Sequence, residues 1–233
     1  MSKEKFVHRL FDTITPRYDL FNRVGSLGMD HSWRRKTIQA LQLKPEMRVL
    51  DLASGTGDLA RDCAAELAPL GKVVACDLSL QMLSRAVKRL AVFPPARWHV
   101  SYAQGRAENL PFNPATFDAA TMAFALRNVS DLDATFGEYH RTMRPGAHLA
   151  LLEFGRPTNF FVRAGHWLWL STAIPLFGFL TTGLFWPFLY LRRSILQFMP
   201  PEQVVKKLQN AGFGEVSATR LSGGIVVLYQ AIR

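Results

Sequence analysis

The chain of 233 residues has only two cysteines, Cys63 and Cys76. That is too few for a disulfide framework or a cysteine-based metal knuckle. No His, Cys or acidic residues recur at metal-ligand spacing either, so no metal is expected. Acidic residues are scarce, 18 against 28 basic ones, giving a net charge of +10 and a pI near 10.1. Such an imbalance favours a polyanionic partner, nucleic acid or an anionic membrane face. Charged residues reach only 20 % and apolar ones 48 %, which excludes a long disordered chain and leaves enough apolar surface for a full core. The opening residues MSKEKFVHRLFD lack the apolar stretch of a signal peptide. The expectation is a cytoplasmic protein, peripheral at the inner face of the membrane.

What is present is a rhythm. Up to residue 45, Phe6, Leu10, Phe11, Ile14, Tyr18, Phe21, Trp33, Ile38 and Leu41 fall at helical spacings, and Pro45 ends the pattern. Strand patterns then follow at 47–52, 72–76, 98–103, 117–124 and 147–154. Helix patterns lie between them at 58–68, from the N-cap Ser79 to Leu90, and at 132–143, where Arg144-Pro145-Gly146 stops the last. This alternation predicts a parallel sheet covered on both faces. The chain closes with a helix at 201–211 and two strands at 213–220 and 225–232. Only a Leu-Ser-Gly-Gly connection joins those strands, which predicts an antiparallel hairpin.

The chemistry begins at Asp51-Leu52-Ala53-Ser54-Gly55-Thr56-Gly57-Asp58, between a predicted strand and helix. Glycines there let the backbone approach a ligand, and ligands of open α/β sheets bind beyond the carboxyl ends of the strands. Asp77 ends the second strand, where a carboxylate can accept both hydroxyls of an adenosine ribose. The turn also fits a dinucleotide fingerprint. Three features favour S-adenosylmethionine (SAM) over a nicotinamide cofactor. Asp51 and Asp58 suit a sulfonium and an ammonium but repel a pyrophosphate. A polar stretch, Gln104-Gly105-Arg106-Ala107-Glu108, follows the third strand. The C-terminal hairpin is typical of methyltransferase sheets. The expected fold class is therefore α/β, a class I SAM-dependent methyltransferase (Rossmann-like) seven-stranded sheet, mostly parallel with a C-terminal antiparallel hairpin. One domain is expected over 1–233, with an N-terminal helical lid at 1–45.

An apolar insertion at 158–199 interrupts the rhythm. From Ala164 to Leu191 no residue carries formal charge, a run of 28 residues bracketed by Arg163 and by Arg192-Arg193. That length would span a bilayer core of about 30 Å as one helix. Strands of one sheet on both sides of it rule out a single span. Pro175, Gly178, Gly183 and Pro187 should break the run into shorter pieces. Trp167, Trp169 and Trp186 suit a membrane–water boundary, and the flanking arginines suit lipid phosphates. A buried core element or a dimer interface is the alternative reading, so self-association stays open. Nucleic acid is disfavoured as a partner, because the basic residues are spread along the chain and no Asn-Pro-Pro-aromatic motif occurs.

Several segments carry a more specific likeness. Tyr18-Asp19-Leu20-Phe21-Asn22, Ser26-Leu27-Gly28, Trp33-Arg34, the glycine turn, Leu110-Pro111-Phe112, Phe124-Ala125-Leu126-Arg127-Asn128-Val129, Arg144-Pro145-Gly146 and Gly223-Gly224-Ile225-Val226 follow in order. In this the chain resembles the ubiquinone/menaquinone biosynthesis C-methyltransferase family (demethylmenaquinone methyltransferase-like). The resemblance runs from about residue 6 to the end. It implies methyl transfer from SAM to a ring carbon of a prenylated hydroquinone, demethylmenaquinol foremost. A benzoquinol or another lipophilic acceptor is the alternative, and a nicotinamide-dependent reductase or a non-enzymatic membrane assembly subunit the more distant ones.

The glycine turn itself puts Asp51, Gly55 and Gly57 at the cofactor, and by the same resemblance Thr56, Asp77, Arg106 and Ala107 would contact it. Tyr18 and Asn22 would sit on the lid toward the substrate, and Arg127 and Asn128 would be catalytic. Arg106 stands where members often have Asn, and Asp30 where they often have His. Methylating carbon needs an electron-rich ring, hence a phenol with a pKa of roughly 10 that must be ionised or deprotonated. A guanidinium does not act as a base in proteins. Arg127 is therefore expected to stabilise the phenolate or orient a water, unless it merely pairs with an acid such as Asp131. Glu153 is expected as either a salt-bridge partner or a base.

Overall fold

The computed structural model describes residues 3–15, 18–92 and 99–233. Three helices come first, α1 (Lys3–Ile14), α2 (Tyr18–Gly25) and α3 (Asp30–Ala40). The alternating part follows: β1 (Arg48–Leu52), α4 (Asp58–Leu67), β2 (Lys72–Asp77), α5 (Leu80–Leu90), β3 (His99–Gln104), β4 (Phe117–Ala123), α6 (Leu132–Thr142) and β5 (Met143–Phe154). Helices α7 (Phe160–Leu168), α8 (Ile174–Thr182) and α9 (Trp186–Gln197) form the insertion, and α10 (Pro201–Asn210), β6 (Gly214–Leu221) and β7 (Val226–Ile232) close the chain.

All seven strands share one sheet in the order β3-β2-β1-β4-β5-β7-β6. The pairs on the β3-to-β5 side are parallel, and β7 runs antiparallel to both β5 and β6. The period-2 alternation of the strands divides the core. Leu50, Leu52, Ala120 and Met122 face the layer that contains Phe136, Tyr139 and Leu208 of α6 and α10. Val49 and Ala119 face the opposite layer, with Trp33 of α3 and Leu59, Cys63 and Leu67 of α4. Burying a side chain of this size contributes about 1.5–3 kcal/mol. Strand order reverses direction between β1 and β4, and the crevice at their carboxyl ends is the natural ligand position of such sheets.

Most predicted elements lie within a residue or two of the observed ones. The third strand begins at His99, and Trp98 falls outside the described residues. Ser79 does cap α5, its hydroxyl accepting from the Met82 N–H at 3.2 Å. The predicted stop at Arg144-Pro145-Gly146 needs correction. Helix α6 ends at Thr142, and these residues already belong to β5. Pro145 offers no N–H, Gly146 has φ of +78°, and pairing with β4 slips between Phe117/Met143 and Ala119/His148. The motif therefore makes a bulge in a long strand.

Gly178 is the second correction. It does not break the insertion but lies inside α8, where a Cβ would fall 2.1 Å from the Phe188 ring. It is the contact that lets α9 pack on α8. The break comes instead at Gly183, with φ of +76°, and Pro187 opens α9. Among the described residues no helix is long and apolar enough to cross a membrane.

Candidate active site

Two adjoining cavities, of about 360 Å3 and 130 Å3, occupy the crevice beyond β1 and β4. Ala53 after β1 and Phe124 after β4 both hold left-handed backbones, with φ of +53° and +57°. Non-glycine residues rarely adopt this conformation, and such strain concentrates at functional sites. Phe11, Ala53, Gly55, Ala123, Phe124 and Asn128 line both cavities and mark where they meet.

The smaller cavity is bordered by Asp77, Leu78, Ser79 and Met82 on one side and by 105–108 on the other. The Asp77 carboxylate shapes the glycine turn: Oδ2 accepts from the Gly55 N–H and Oδ1 from the Ser79 N–H, each at 2.8 Å. A carboxylate oxygen has two lone pairs, so these bonds leave capacity for ribose hydroxyls. Arg106 and Ala107 belong to the facing wall. The Arg106 side chain is half exposed, 4.0 Å from Glu108, which agrees with its standing where an amide is usual.

Asp51 lies next to the last residue of β1, on the wall of the larger cavity. It is 1 % exposed, and its Oδ2 has no hydrogen-bond partner among the described residues; nor does the Ser54 hydroxyl. Burial pushes the Asp51 carboxyl well above the usual carboxylate range, against the lowering effect of the Ala60 N–H, and Asp77 raises it further. An orphaned buried carboxylate oxygen costs free energy until a donor or a cation meets it. The ammonium of SAM's amino-acid end fits that need, with the ribose at Asp77 and the adenine against 105–108. These residues suit SAM.

Two expected cofactor residues sit differently. The Thr56 hydroxyl and carbonyl both accept from Arg89 Nη1, at 2.8 and 3.0 Å, although Thr56 does reach the larger cavity. Gly57 lies behind the turn, away from both cavity walls. Its φ is +84°, and a Cβ would meet Ala86 and Leu90 at 3.1 Å, so glycine there serves the packing of α4 on α5. Asn22 lines the larger cavity. The Tyr18 side chain lies outside the described residues. Among those described, no group of three or more His, Cys, Asp or Glu is placed to hold a metal.

Arg127 and Asn128 lie on a single 3-10 turn, Leu126–Asn128, directly after β4. Arg127 pairs with Glu153 and not with Asp131, which instead caps α6 through the Ala134 N–H. Its Nη1 donates to Glu153 Oε1 at 2.6 Å and to the Phe124 carbonyl, and its backbone N–H donates to Glu153 Oε2 at 3.0 Å. Glu153 is fully buried and the Arg127 side chain is 7 % exposed. The pair is close to neutral as a unit, so Arg127 acts more as a fixed donor than as a free positive charge. Its Nε is a buried donor without a partner among the described residues. The guanidinium also lies 5.1 Å from the Phe154 ring centroid.

The remaining walls come from the lid and the insertion and are mostly apolar, with Leu10, Ile14, Trp33, Trp169, Leu170, Ile174, Phe188 and Leu191 beside the polar Ser26, Asp30, Arg34 and His166. Side-chain bonds tie these pieces to the sheet and to each other. Trp33 Nε1 donates to the Ser222 hydroxyl at 2.8 Å, and Trp169 Nε1 to the Gly25 carbonyl at 3.1 Å. Asp30, in place of the more usual His, accepts from Ser26 and Arg34; Arg34 also reaches Asp62 at 2.9 Å. Tyr190 escaped the sequence reading. Its only signal was being the sole tyrosine of the uncharged run.

Known proteins agree with this geometry. The ubiE/COQ5 methyltransferase family model matches residues 1–233. The demethylmenaquinone methyltransferase of Desulfitobacterium hafniense is 32 % identical over 226 residues, covering 97 % of this chain and 89 % of that protein. The ubiquinone/menaquinone biosynthesis C-methyltransferase of Syntrophotalea carbinolica is 37 % identical over 225 residues, covering 96 % and 92 %. Among solved structures, a SAM-dependent methyltransferase from Thermotoga maritima superposes with a TM-score of 0.65 over 97 % of this chain and 98 % of that one, at 20 % identity. A second, from Aquifex aeolicus, gives 0.60 over 85 % and 88 % at 19 % identity. At such identities the structures establish the class I fold, while the family match covers the whole chain. The chain belongs to the ubiE/COQ5 methyltransferase family and is a SAM-dependent C-methyltransferase.

Proposed function

We propose that the chain methylates a ring carbon of a prenylated hydroquinone, with demethylmenaquinol as its acceptor. One observation carries the reading. Asp51 and Arg127 both line one largely apolar cavity, and each carries a buried polar atom without a partner among the described residues, an acceptor at Asp51 Oδ2 and a donor at Arg127 Nε. The first suits the ammonium of the methyl donor and the second suits the oxygen of a quinol. The names of the relatives favour the same acceptor class.

When bound, SAM supplies an electrophilic methyl on a sulfonium. The protein's part is to hold the ring and make it electron-rich. Asp77 and the turn at Gly55 fix the nucleoside, and Asp51 and Ser54 hold the amino-acid end. Arg127, fixed by Glu153 and Phe124, turns its guanidinium N–H groups toward the quinol oxygen and stabilises the charge that develops there. The guanidinium keeps its own protons. The hydroxyl proton passes to a water near Asn128; once the methyl is on the ring carbon, that carbon's own proton leaves to water and the oxygen is reprotonated, which restores the aromatic quinol with a net release of one proton. The apolar walls exclude bulk water, which strengthens each of these contacts. We read residues 1–45 as the lid and 158–199 as the acceptor cover of one catalytic unit.

The prenyl tail places the reaction at a membrane. Phe160, Phe161, Trp167, Leu168, Leu176, Leu180 and Leu189 of α7–α9 are exposed. Arg163, Arg192 and Arg193 flank them on a chain of net charge +10. This face docks on an anionic bilayer at the cytoplasmic side, beside the cavity that the acceptor enters. Labelled SAM with a panel of demethylated naphthoquinols and benzoquinols tests the acceptor. Transfer to the naphthoquinol ring carbon is expected. Transfer to the benzoquinol alone overturns the acceptor, and transfer to neither overturns the reaction.

A further inference from the structure

We propose that Tyr190 is a positioning residue for methyl transfer: its hydroxyl fixes the Asn128 side chain so that the amide NH2 faces the acceptor oxygen. The inference rests on the quinol methylation proposed above and assigns a chemical role to the apolar insertion.

Of the six residues shared by the two cavities, Asn128 alone has a polar side chain. It therefore stands where donor and acceptor meet. A primary amide can present either its oxygen or its NH2 after a half-turn about its last bond, and the two ends have opposite hydrogen-bonding character. The hydroxyl of Tyr190 lies 3.1 Å from Asn128 Oδ1 and donates to it. A phenol donates more strongly than it accepts and an amide oxygen is the better acceptor, so this bond favours the observed orientation over a flipped amide, whose NH2 could only donate to the phenol oxygen. Burial pushes the Tyr190 phenol up, so it keeps its proton and stays a donor. The amide then has its two N–H groups left for an oxygen in the cavity.

The placement of Tyr190 depends on two contacts, one on its ring and one on its helix. Phe6 of α1 meets it edge-on at 5.1 Å between centroids. Helix α9 is set by Phe188, which is buried against Gly178. Tyr190 thus reaches Asn128 only when α1 and the insertion are both seated. Closing the cover and aligning the amide become one event, and the acceptor is sealed from water as it is oriented.

The test uses the full-length protein, SAM and a short-tailed demethylated naphthoquinol. Tyr190→Phe keeps the ring on Phe6 and removes only the hydroxyl. We expect kcat to fall about tenfold, the usual worth of one such hydrogen bond. The acceptor KM and the calorimetric Kd for SAM should stay within about twofold, as for a loss felt only in the transition state. Asn128→Ala should lose as much or more, and adding Y190F to it should cost nothing further. Normal turnover by Y190F overturns the role of Tyr190. So does an additive loss in the double variant, or a change confined to KM or to SAM binding. No quinol turnover by the unaltered enzyme, with SAM bound, overturns the reaction and this role together.

Discussion

The turn after β1 and the insertion between β5 and α10 serve the same crevice with opposite materials. The turn is short, polar and bound atom by atom: Asp77 takes the Gly55 and Ser79 N–H groups, and Arg89 takes Thr56. The insertion contributes three apolar helices, with Tyr190 and Asn128 as its hydrogen-bonded link to the catalytic turn. In the proposed reading, one end would recognise a small charged molecule by directed bonds to a rigid sheet edge. The other would accept a greasy one by shape, where hydrogen-bond geometry has little to grip. Affinity at the first end is thus sensitive to single atoms, and at the second to packing.

The comparison breaks most visibly where the two ends meet. Arg127→Ala should lower turnover by about 10²–10³ with SAM still bound, the scale of losing one preorganised donor. It also strands Glu153 without its partner, so stability should drop by about 3–5 kcal/mol in chemical denaturation. Arg127→Met with Glu153→Leu should recover the stability but not the turnover, and recovery of both would remove Arg127 from the chemistry.

Asp51 sharpens the polar end. Its folded pKa is raised, so the folded protein without SAM binds a proton that the unfolded chain releases. Stability without SAM should therefore fall as pH rises from the ordinary carboxylate value to the raised one. SAM affinity should rise over the same window, because the ammonium needs the carboxylate. Asp51→Asn should flatten both profiles, raise the melting temperature without SAM and weaken SAM about tenfold by calorimetry. A SAM affinity unchanged by this substitution would move the ammonium elsewhere.

The packing end predicts smaller effects on chemistry. Gly178→Ala drives a methyl into the Phe188 ring, which should cost about 2–3 kcal/mol and roughly 5–10 °C in melting temperature. The acceptor KM should rise while the SAM Kd holds; an equal loss of SAM binding would show that the two ends are not separable. Last, Phe161→Glu with Leu180→Glu changes only residues 80 % and 68 % exposed. Stability should move by no more than about 0.5 kcal/mol. Sedimentation with anionic vesicles should fall sharply, and unchanged sedimentation would take the membrane away from this face.

Legibility followed the same divide. That Asp51, Gly55 and Asp77 would stand at the crevice was readable because a turn between strand and helix needs those residue types at those places. That Arg127 and Asn128 would stand there was readable only through the family likeness, and the partner of Arg127 was not. Glu153 follows it by 26 positions, and only the pairing of β4 with β5 sets the two side by side. Gly57 and Gly178 showed the opposite failure. A glycine in sequence looks like a turn or a ligand contact, yet both of these make room for a neighbouring helix that is distant in the chain.

The alternation of apolar and polar residues determined the seven strands, their covering helices and the glycine turn after β1, because each depends on neighbours a few positions away. Tertiary structure decided which buried polar atoms were left without partners and which were matched. Tyr190 meets Asn128, Trp169 meets Gly25 and Trp33 meets Ser222 across gaps of 62, 144 and 189 residues. Contacts of that kind exist only after the sheet has closed the distance, so no local pattern can encode them.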